Sequence, residues 1–236
     1  MRSDLPTDSD PHDTHVHRLD EAAVIASTDP DRAITSLRWL DASITSDRDA
    51  RAFAAWGWST VIDENTGEPV IGTELFAALH RRAGISATWP VGNAGLLHCY
   101  GYLLSRARTP YGLKRERWLS SELARAAGLP GDALTPWRPG STLLARAARL
   151  MASALSDDAP HLDIDVPASE STVASRIGIL HNAGISAVAY SVAGRLITTF
   201  PMSTPPERIR SDLSAESPRL RWNAVLPAAG HPHPVS

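Results

Sequence analysis

Residues 183–200, AGISAVAYSVAGRLITTF, indicate how this chain folds. Two runs rich in β-branched and other apolar residues, 185–190 and 195–200, are separated by a Gly-containing turn. Runs of this length and composition are typical of strands, and a connection this short joins antiparallel neighbours. The segment therefore predicts a β-hairpin.

The first five residues of this hairpin, AGISA at 183–187, also occur at 83–87, and a Leu-His pair precedes both copies. Each copy follows a segment with helical punctuation, so the shared prediction is a helix, a Gly stop and two strands. By this comparison residues 85–89 and 97–103 become strands, and a helix that begins at Ser169 or Ser171 runs to His181. The chain then consists of two related α-β-β halves, unless the repeat arises by chance in an Ala- and Gly-rich sequence.

Helical periodicity elsewhere completes the predicted fold class. Apolar positions spaced three and four residues apart predict helices after residue 19, after Pro30 and over 143–155, and residues 161–166 alternate as a strand. We expect an α+β fold: a mostly antiparallel sheet built of hairpins, with helices packed on one face. Residues 19–226 are predicted to form a single domain, with a seam at 156–160 if it divides. Residues 1–18 and 227–236 are predicted to be tails, the first disordered.

Composition narrows the classes of function. With 236 residues, 43% hydrophobic and 21% charged, the chain has the make-up of a globular protein. A net charge of −3 gives no electrostatic case for nucleic acid or an anionic membrane. The single cysteine, Cys99, excludes an internal disulfide. The sequence shows no secretory signal pattern and no apolar run long enough for a membrane span, so we expect a cytoplasmic protein.

Residues 85–118, ISATWPVGNAGLLHCYGYLLSRARTPYGLKRERW, concentrate the chemically active side chains. They include two of the seven tryptophans, three of the four tyrosines, four arginines, the only cysteine and the only lysine. We predict the functional site here.

The predicted catalytic residues are His98, Tyr100 and Tyr102. If residues 97–103 form a strand, these three side chains share one face, because strand side chains alternate. An imidazole that titrates near neutrality beside two phenols is suited to acid–base chemistry. If the segment is helical, only His98 and Tyr102 share a face. A packed sheet face with one satisfied histidine is the structural alternative.

Basic and aromatic residues after this segment predict an anion-binding surface. Arginine side chains form paired hydrogen bonds with carboxylates and phosphates, and a neighbouring aromatic ring could stack on a planar substrate. The alternative is a solvated face on which Glu116 pairs locally. The predicted substrate-binding residues are Arg106, Tyr111, Lys114, Arg115, Arg117 and Trp118, with Arg221 from a later segment.

A metal site is a further alternative. His161, Asp163 and Asp165 occupy alternate positions of a predicted strand and so share a face, and an imidazole with two carboxylates can bind a divalent cation. Charged residues that protect an edge strand explain the same pattern. The sequence contains no Gly-rich phosphate loop, no Gly-x-Ser-x-Gly motif and no Cys-x-x-Cys pair.

These observations favour an enzyme that acts by acid–base chemistry on a small anionic molecule, a carboxylate or a phosphate, as a hydrolase or a lyase. We expect no cofactor, no metal and no membrane partner. One rival is a module that binds nucleic acid or protein through residues 98–118, although the net charge disfavours nucleic acid. The other is a metal-dependent enzyme using the face of His161, Asp163 and Asp165. The oligomeric state stays open, a homodimer included.

Overall fold

A computed structural model describes residues 11–168 and 171–226, and within them the fold is α+β, as predicted. The α-helices are α1 (Pro11–Ile25), α2 (Pro30–Ser36), α3 (Arg38–Asp49), α4 (Thr73–Ala83), α5 (Ala94–Cys99), α6 (Glu116–Leu119), α7 (Glu122–Ala126), α8 (Leu143–Ala154) and α9 (Pro206–Ala215). The strands are β1 (Trp58–Thr60), β2 (Val91–Asn93), β3 (Arg108–Thr109), β4 (Gly112–Leu113), β5 (His161–Ala168), β6 (Ser171–Asn182), β7 (Ile185–Val192), β8 (Arg195–Met202) and β9 (Ala224–Val225). Short 3-10 helices cover Ala52–Ala55 and Gly101–Leu104.

The main sheet is an antiparallel meander of β5, β6, β7 and β8 in that order. Strand β7 is central and almost entirely buried, and α7 and α8 pack on the sheet. Helix α8 comes closest at Gly178 of β6, where the backbone of Ala154 occupies the space that a side chain would need. The hairpin predicted from residues 183–200 is β7–β8, so this prediction is confirmed.

Two Ala-Gly pairs make the tight turns of this sheet. Ala183 and Gly184 connect β6 to β7, and Ala193 and Gly194 connect β7 to β8. All four residues have positive φ, at 50° for both alanines and 74° and 71° for the glycines. Positive φ at both central residues matches the right-handed twist of a two-residue hairpin. Glycine accepts this conformation freely, whereas alanine is strained in it.

Ala193→Asn should therefore stabilise the protein. Ala193 is exposed and asparagine tolerates a positive φ better than alanine, so we expect the free energy of unfolding to rise by about 0.5–1 kcal/mol. Urea denaturation measures this change. Ala148→Asn, in the middle of α8, is the matched control and should be destabilising. Destabilisation at both positions would show that the strain of the turn is not what limits stability there.

Two smaller sheets lie beside the meander. Strand β1 is the centre of the sheet β2-β1-β9, and β3 pairs with β4 in a hairpin; both sheets are antiparallel. The amide of Gly57, just before β1, donates to the carbonyl of Leu196 in β8. This bond places the β1 sheet against the edge of β8, the strand whose Thr198 and Thr199 also accept hydrogen bonds from Arg117.

The repeat of AGISA does not mark a repeated fold unit. The first copy follows helix α4 and the second follows strand β6, so the helix predicted over 171–181 is wrong. In both copies the glycine has positive φ, but Gly84 ends a helix whereas Gly184 belongs to a hairpin turn. The same local conformation serves two different connections. The two related halves are accordingly not seen.

The strands predicted over 85–89 and 97–103 are also wrong. Of these residues only Thr88 joins a bridge, with Val91, and helix α5 begins at Ala94. The side chain of Asn93 accepts a hydrogen bond from the amide of Leu96, which is the interaction of a helix N-cap. Residues 94–104 are then helical, apart from Tyr100.

The predicted N-terminal tail is wrong for residues 11–18, which form the first half of α1. Helix α1 buries Leu19 and Ala22, and the imidazole of His15 stacks on Trp137 at a ring-centroid distance of 4.8 Å. The contact with Trp137 packs the polar first half of the helix against the rest of the protein. Residues 1–10 and the predicted C-terminal tail at 227–236 lie outside the described residues.

The predicted seam at 156–160 connects α8 to β5. Buried apolar residues from both sides of it, including Leu144 and Ala189, belong to one cluster. Over the described ranges, no helix is both long and apolar enough to cross a membrane.

Candidate functional site

The predicted catalytic residues divide into two groups. The rings of His98 and Tyr102 lie 4.9 Å apart, as expected if the segment is helical, whereas Tyr100 points to another part of the core. All three are buried, and the predicted strand face with three aligned side chains is wrong because the segment is helical apart from Tyr100. Their catalytic roles stay a prediction.

Tyr100 belongs to a network that connects three helices. Its hydroxyl donates to Oδ2 of Asp47 at the end of α3, and the hydroxyl of Thr142 donates to Oδ1 of the same carboxylate at 2.6 Å. Thr142 is also the N-cap of α8, where it accepts from the amide of Ala145. Burial raises the pKa of Asp47, and these hydrogen bonds oppose the rise. Both oxygens of the Asp47 carboxylate thus accept hydrogen bonds that connect α3 to Tyr100 and to the start of α8.

His98 is fully enclosed, with 3% of its surface exposed. Its Nε2 lies 3.1 Å from the hydroxyl of Ser59, and its carbonyl accepts a hydrogen bond of 2.8 Å from the indole N–H of Trp118. Burial lowers the pKa of His98 well below its ordinary value; the nearby charges of Arg117 and Lys114 lower it further, and the Ile197 backbone opposes them. The lowered pKa favours the neutral imidazole and so opposes the predicted titration of His98 near neutrality.

His98, Tyr102, Asp63, Lys114 and Arg117 form a compact set that we call the Tyr102 cluster. Nζ of Lys114 lies 5.0 Å from the centre of the Tyr102 ring and 2.6 Å from Oδ2 of Asp63. Burial lowers the pKa of Lys114, and the bond to Asp63 partly restores it. For Asp63 the effect of burial is outweighed by Lys114 and by the amides of Asn65 and Thr66, so its pKa is lowered.

Arg117 carries the second positive charge of the Tyr102 cluster. Its guanidinium carbon lies 5.9 Å from the Tyr102 ring and 6.0 Å from the Phe200 ring. It donates to the carbonyls of Lys114 and Thr199 and to the hydroxyl of Thr198, at 3.1, 3.2 and 2.9 Å. Among the described residues it forms no ion pair with a carboxylate, and burial lowers its pKa. The cluster thus holds two cations and one anion.

Two buried polar atoms of the Tyr102 cluster, the hydroxyl of Tyr102 and Nδ1 of His98, have no hydrogen-bond partner among the described residues. Tyr102 is 1% exposed, and its hydroxyl has no hydrogen-bond partner within the described part of the chain. Burial raises the pKa of Tyr102, the charge of Arg117 opposes the rise and that of Asp63 adds to it. A buried hydroxyl without a partner is costly, by about 1–3 kcal/mol. The Tyr102 hydroxyl therefore keeps an unused donor on a ring that Lys114 and Arg117 flank.

The remaining predicted site residues are not brought together. Arg106 precedes the β3–β4 hairpin and Tyr111 lies in its turn. Both side chains are exposed, that of Tyr111 to 83%. Arg115 is buried and pairs with Asp20 of α1, while Trp118 is held by its bond to His98. Arg221 is buried and pairs with Glu216 at 2.8 Å. Of the predicted substrate-binding residues, Lys114 and Arg117 alone belong to the Tyr102 cluster.

Cys99 is buried in the core, and burial raises the pKa of its thiol. The side chain thus behaves as a small apolar residue and contributes no nucleophile.

The predicted metal face does not form a metal site. Arg176, opposite Asp163 in β6, occupies both oxygens of that carboxylate, at 2.7 and 3.1 Å. Nδ1 of His161 faces the carbonyl of Ala159 at 2.8 Å. The described residues contain no group of three or more His, Cys, Asp or Glu side chains that could hold a metal ion. A cross-strand ion pair therefore accounts for this charge pattern better than a ligand set.

Sequence reasoning missed the partners that come from elsewhere in the chain. Asp63 lies in a turn that the residues Asn65-Thr66-Gly67 predict. Nothing in these residues indicates that Asp63 pairs with Lys114. Ser59 and Thr198 are 39 and 81 residues from the side chains that they contact. Nothing in the local sequence indicates these pairings.

Comparison of the chain with protein-family models, curated proteins and solved structures finds no match.

Proposed function

We propose that this protein is a cytoplasmic enzyme that binds a small carboxylate or phosphate compound at the Tyr102 cluster and acts on it as a hydrolase or a lyase. The observation that carries the proposal is the buried Tyr102 hydroxyl, which has no partner in the described residues and belongs to a ring flanked by Lys114 at 5.0 Å and Arg117 at 5.9 Å. An anion would accept from this hydroxyl and neutralise the charge at the same time.

The roles of the residues differ from those predicted by sequence. Arg117 and Lys114 attract the anion, and Tyr102 donates a hydrogen bond to charge that develops on it during reaction. With its raised pKa the phenol stays protonated near neutrality, so it acts as a donor. His98 contacts the Tyr102 ring and keeps it in place as a neutral side chain.

Tyr102→Phe tests the proposal most directly. Removing only the hydroxyl leaves the packing intact, and because that hydroxyl has no partner we expect stability to be unchanged or higher. Binding of inorganic phosphate or benzoate, measured by isothermal titration calorimetry, should weaken by roughly tenfold or more, since a hydrogen bond to a charged group is lost. A structural role alone predicts no change in binding.

Tyr111→Phe is the matched control, because it removes the same atom from an 83% exposed side chain of the same segment. Its affinity should equal that of the unaltered protein. If neither anion binds the unaltered protein, or if the two variants bind equally well, the anion site is not at Tyr102. The hydrolase activity is then tested on the p-nitrophenyl esters of phosphate and acetate with the same two variants.

A further inference from the structure

A second group of cationic side chains lines a cleft of about 490 Å³ beside α8. Helix α8, the loop before it and the end of α7 form its walls, and Leu180 of β6 lies at its base. This volume is within the range of small-molecule sites, roughly 300–1,000 Å³. None of the predicted site residues lines the cleft.

Three arginines line this cleft: Arg138, Arg146 and Arg149. No acidic side chain is among the lining residues. Arg138 pairs with Asp132 at 2.5 Å, and Asp47 acts on Arg146 from the core. Within the described part of the chain, Arg149 donates only to the hydroxyl of Ser141, at 2.7 Å. The wall of the cleft therefore carries more positive than negative charge.

Arg146 is the most constrained of the three. Its guanidinium donates to the carbonyls of Ser141 and Thr135, so that it is held by neutral groups. Its Nε is buried and has no partner among residues 11–168 and 171–226. Burial lowers its pKa, and the charges of Arg138 and Arg149 add to this effect. Three cations this close repel one another, and a bound anion would relieve that repulsion.

Apart from Ser141 and Ser153, the other residues that line the cleft are apolar. Leu129 at its rim is 40% exposed, one of three large apolar side chains exposed to this degree in the described ranges. The apolar lining residues are Ala127, Leu129, Pro130, Ala133, Leu134, Pro139, Leu150 and Leu180. A cleft that is lined by both arginines and apolar side chains is complementary to a molecule with an anionic head and an apolar tail.

We propose that this cleft binds an amphipathic organic anion of the medium-chain carboxylate type, with the carboxylate at Arg146 and Arg149 and the chain along Leu129, Leu134 and Leu150. The site is separate from the Tyr102 cluster and requires only binding, with no chemical step. Its ligand differs from the compound proposed above because the apolar tail supplies much of the affinity.

The test titrates the full chain with dodecanoate, followed by calorimetry, at concentrations below micelle formation. Dodecyltrimethylammonium has the same tail with a positive head, and acetate has the head without the tail. We expect saturable binding of dodecanoate and no saturable binding of dodecyltrimethylammonium. Acetate, measured with Tyr102→Phe so that the Tyr102 cluster does not contribute, should not bind detectably in the same range. Equal affinity for the two dodecyl compounds, or no saturable binding of dodecanoate, would overturn the proposal.

Two variants locate the site. Arg149→Gln removes an exposed charge, and Leu129→Asp places a negative charge at the rim, and each should weaken dodecanoate binding roughly tenfold. Arg108→Gln, in the exposed β3 strand, is the matched control for charge and should bind as the unaltered protein does. Tyr102→Phe should also leave dodecanoate binding unchanged, which separates this site from the Tyr102 cluster. If both Arg149→Gln and Leu129→Asp bind dodecanoate as the unaltered protein does, the ligand does not bind in this cleft.

Discussion

Gly178→Ala should be among the most destabilising single substitutions in this protein. Gly178 lies in the middle of β6, paired with Ala189, where α8 packs on the sheet. A β-carbon at this position would overlap the carbonyl oxygen of Ala154 and lie 2.7 Å from its carbonyl carbon. These are backbone atoms, so no side-chain rotation relieves the overlap. Separating α8 from the sheet should cost about 3 kcal/mol or more.

Gly72→Ala is the matched control for this substitution. Gly72 has φ of −76°, and the nearest atom to an added β-carbon is a flexible carboxylate oxygen of Glu74, 3.8 Å away. Because alanine is a poorer N-cap than glycine, we expect a loss of at most about 1 kcal/mol. Urea denaturation of both variants gives the comparison. A Gly178→Ala protein that is as stable as Gly72→Ala would show that α8 does not lie this close to β6.

The β7–β8 hairpin could be predicted because its information is local. Apolar strand residues and a Gly-containing two-residue turn are sufficient to specify it. Strand β6 could not be predicted in the same way, because its sequence, STVASRIGILHN, also has the serines and apolar spacing of a capped helix. The segment is a strand because it pairs with β5 on one side and β7 on the other. This pairing depends on the whole sheet and not on the local sequence.

Helix α5 shows a different kind of error. Asn93 is a good N-cap residue and precedes an apolar run, so the helix start was readable from sequence. The AGISA repeat drew the prediction toward strands instead. Local capping chemistry was here the better guide than similarity between two short segments.

Composition predicted the segment of the chain in which the candidate site lies, but not which of its residues contact one another. The concentration of Tyr, Lys and Arg in residues 98–118 includes Tyr102, Lys114 and Arg117, which do come together. It also includes Arg115 and Tyr100, whose partners, Asp20 and Asp47, are 95 and 53 residues away. Burial and distant partners determine which charged residues are structural, and neither can be read from a single segment.

Asp47→Ala should lower the free energy of unfolding by about 2–4 kcal/mol. The substitution leaves the buried hydroxyl of Tyr100 without an acceptor and releases Thr142, the N-cap of α8. Asp47→Asn keeps the shape and one acceptor oxygen, and the hydroxyl of Tyr100 or Thr142 can turn to accept from the new amide. We therefore expect Asp47→Asn to retain most of the stability that Asp47→Ala loses.

The pH dependence separates the charge of Asp47 from its shape. Burial raises the pKa of Asp47 from its ordinary value of 3.8, so the folded protein holds the proton more tightly than the unfolded chain. Stability contributed by this group is present below the ordinary value and is lost as the pH rises through the raised pKa. Asp47→Asn removes this loss, so its stability relative to the unaltered protein should increase as the pH rises from about 4 to about 7. Urea denaturation across that range measures the difference, and a difference that stays constant or shrinks would mean that the Asp47 pKa is not raised in the folded protein.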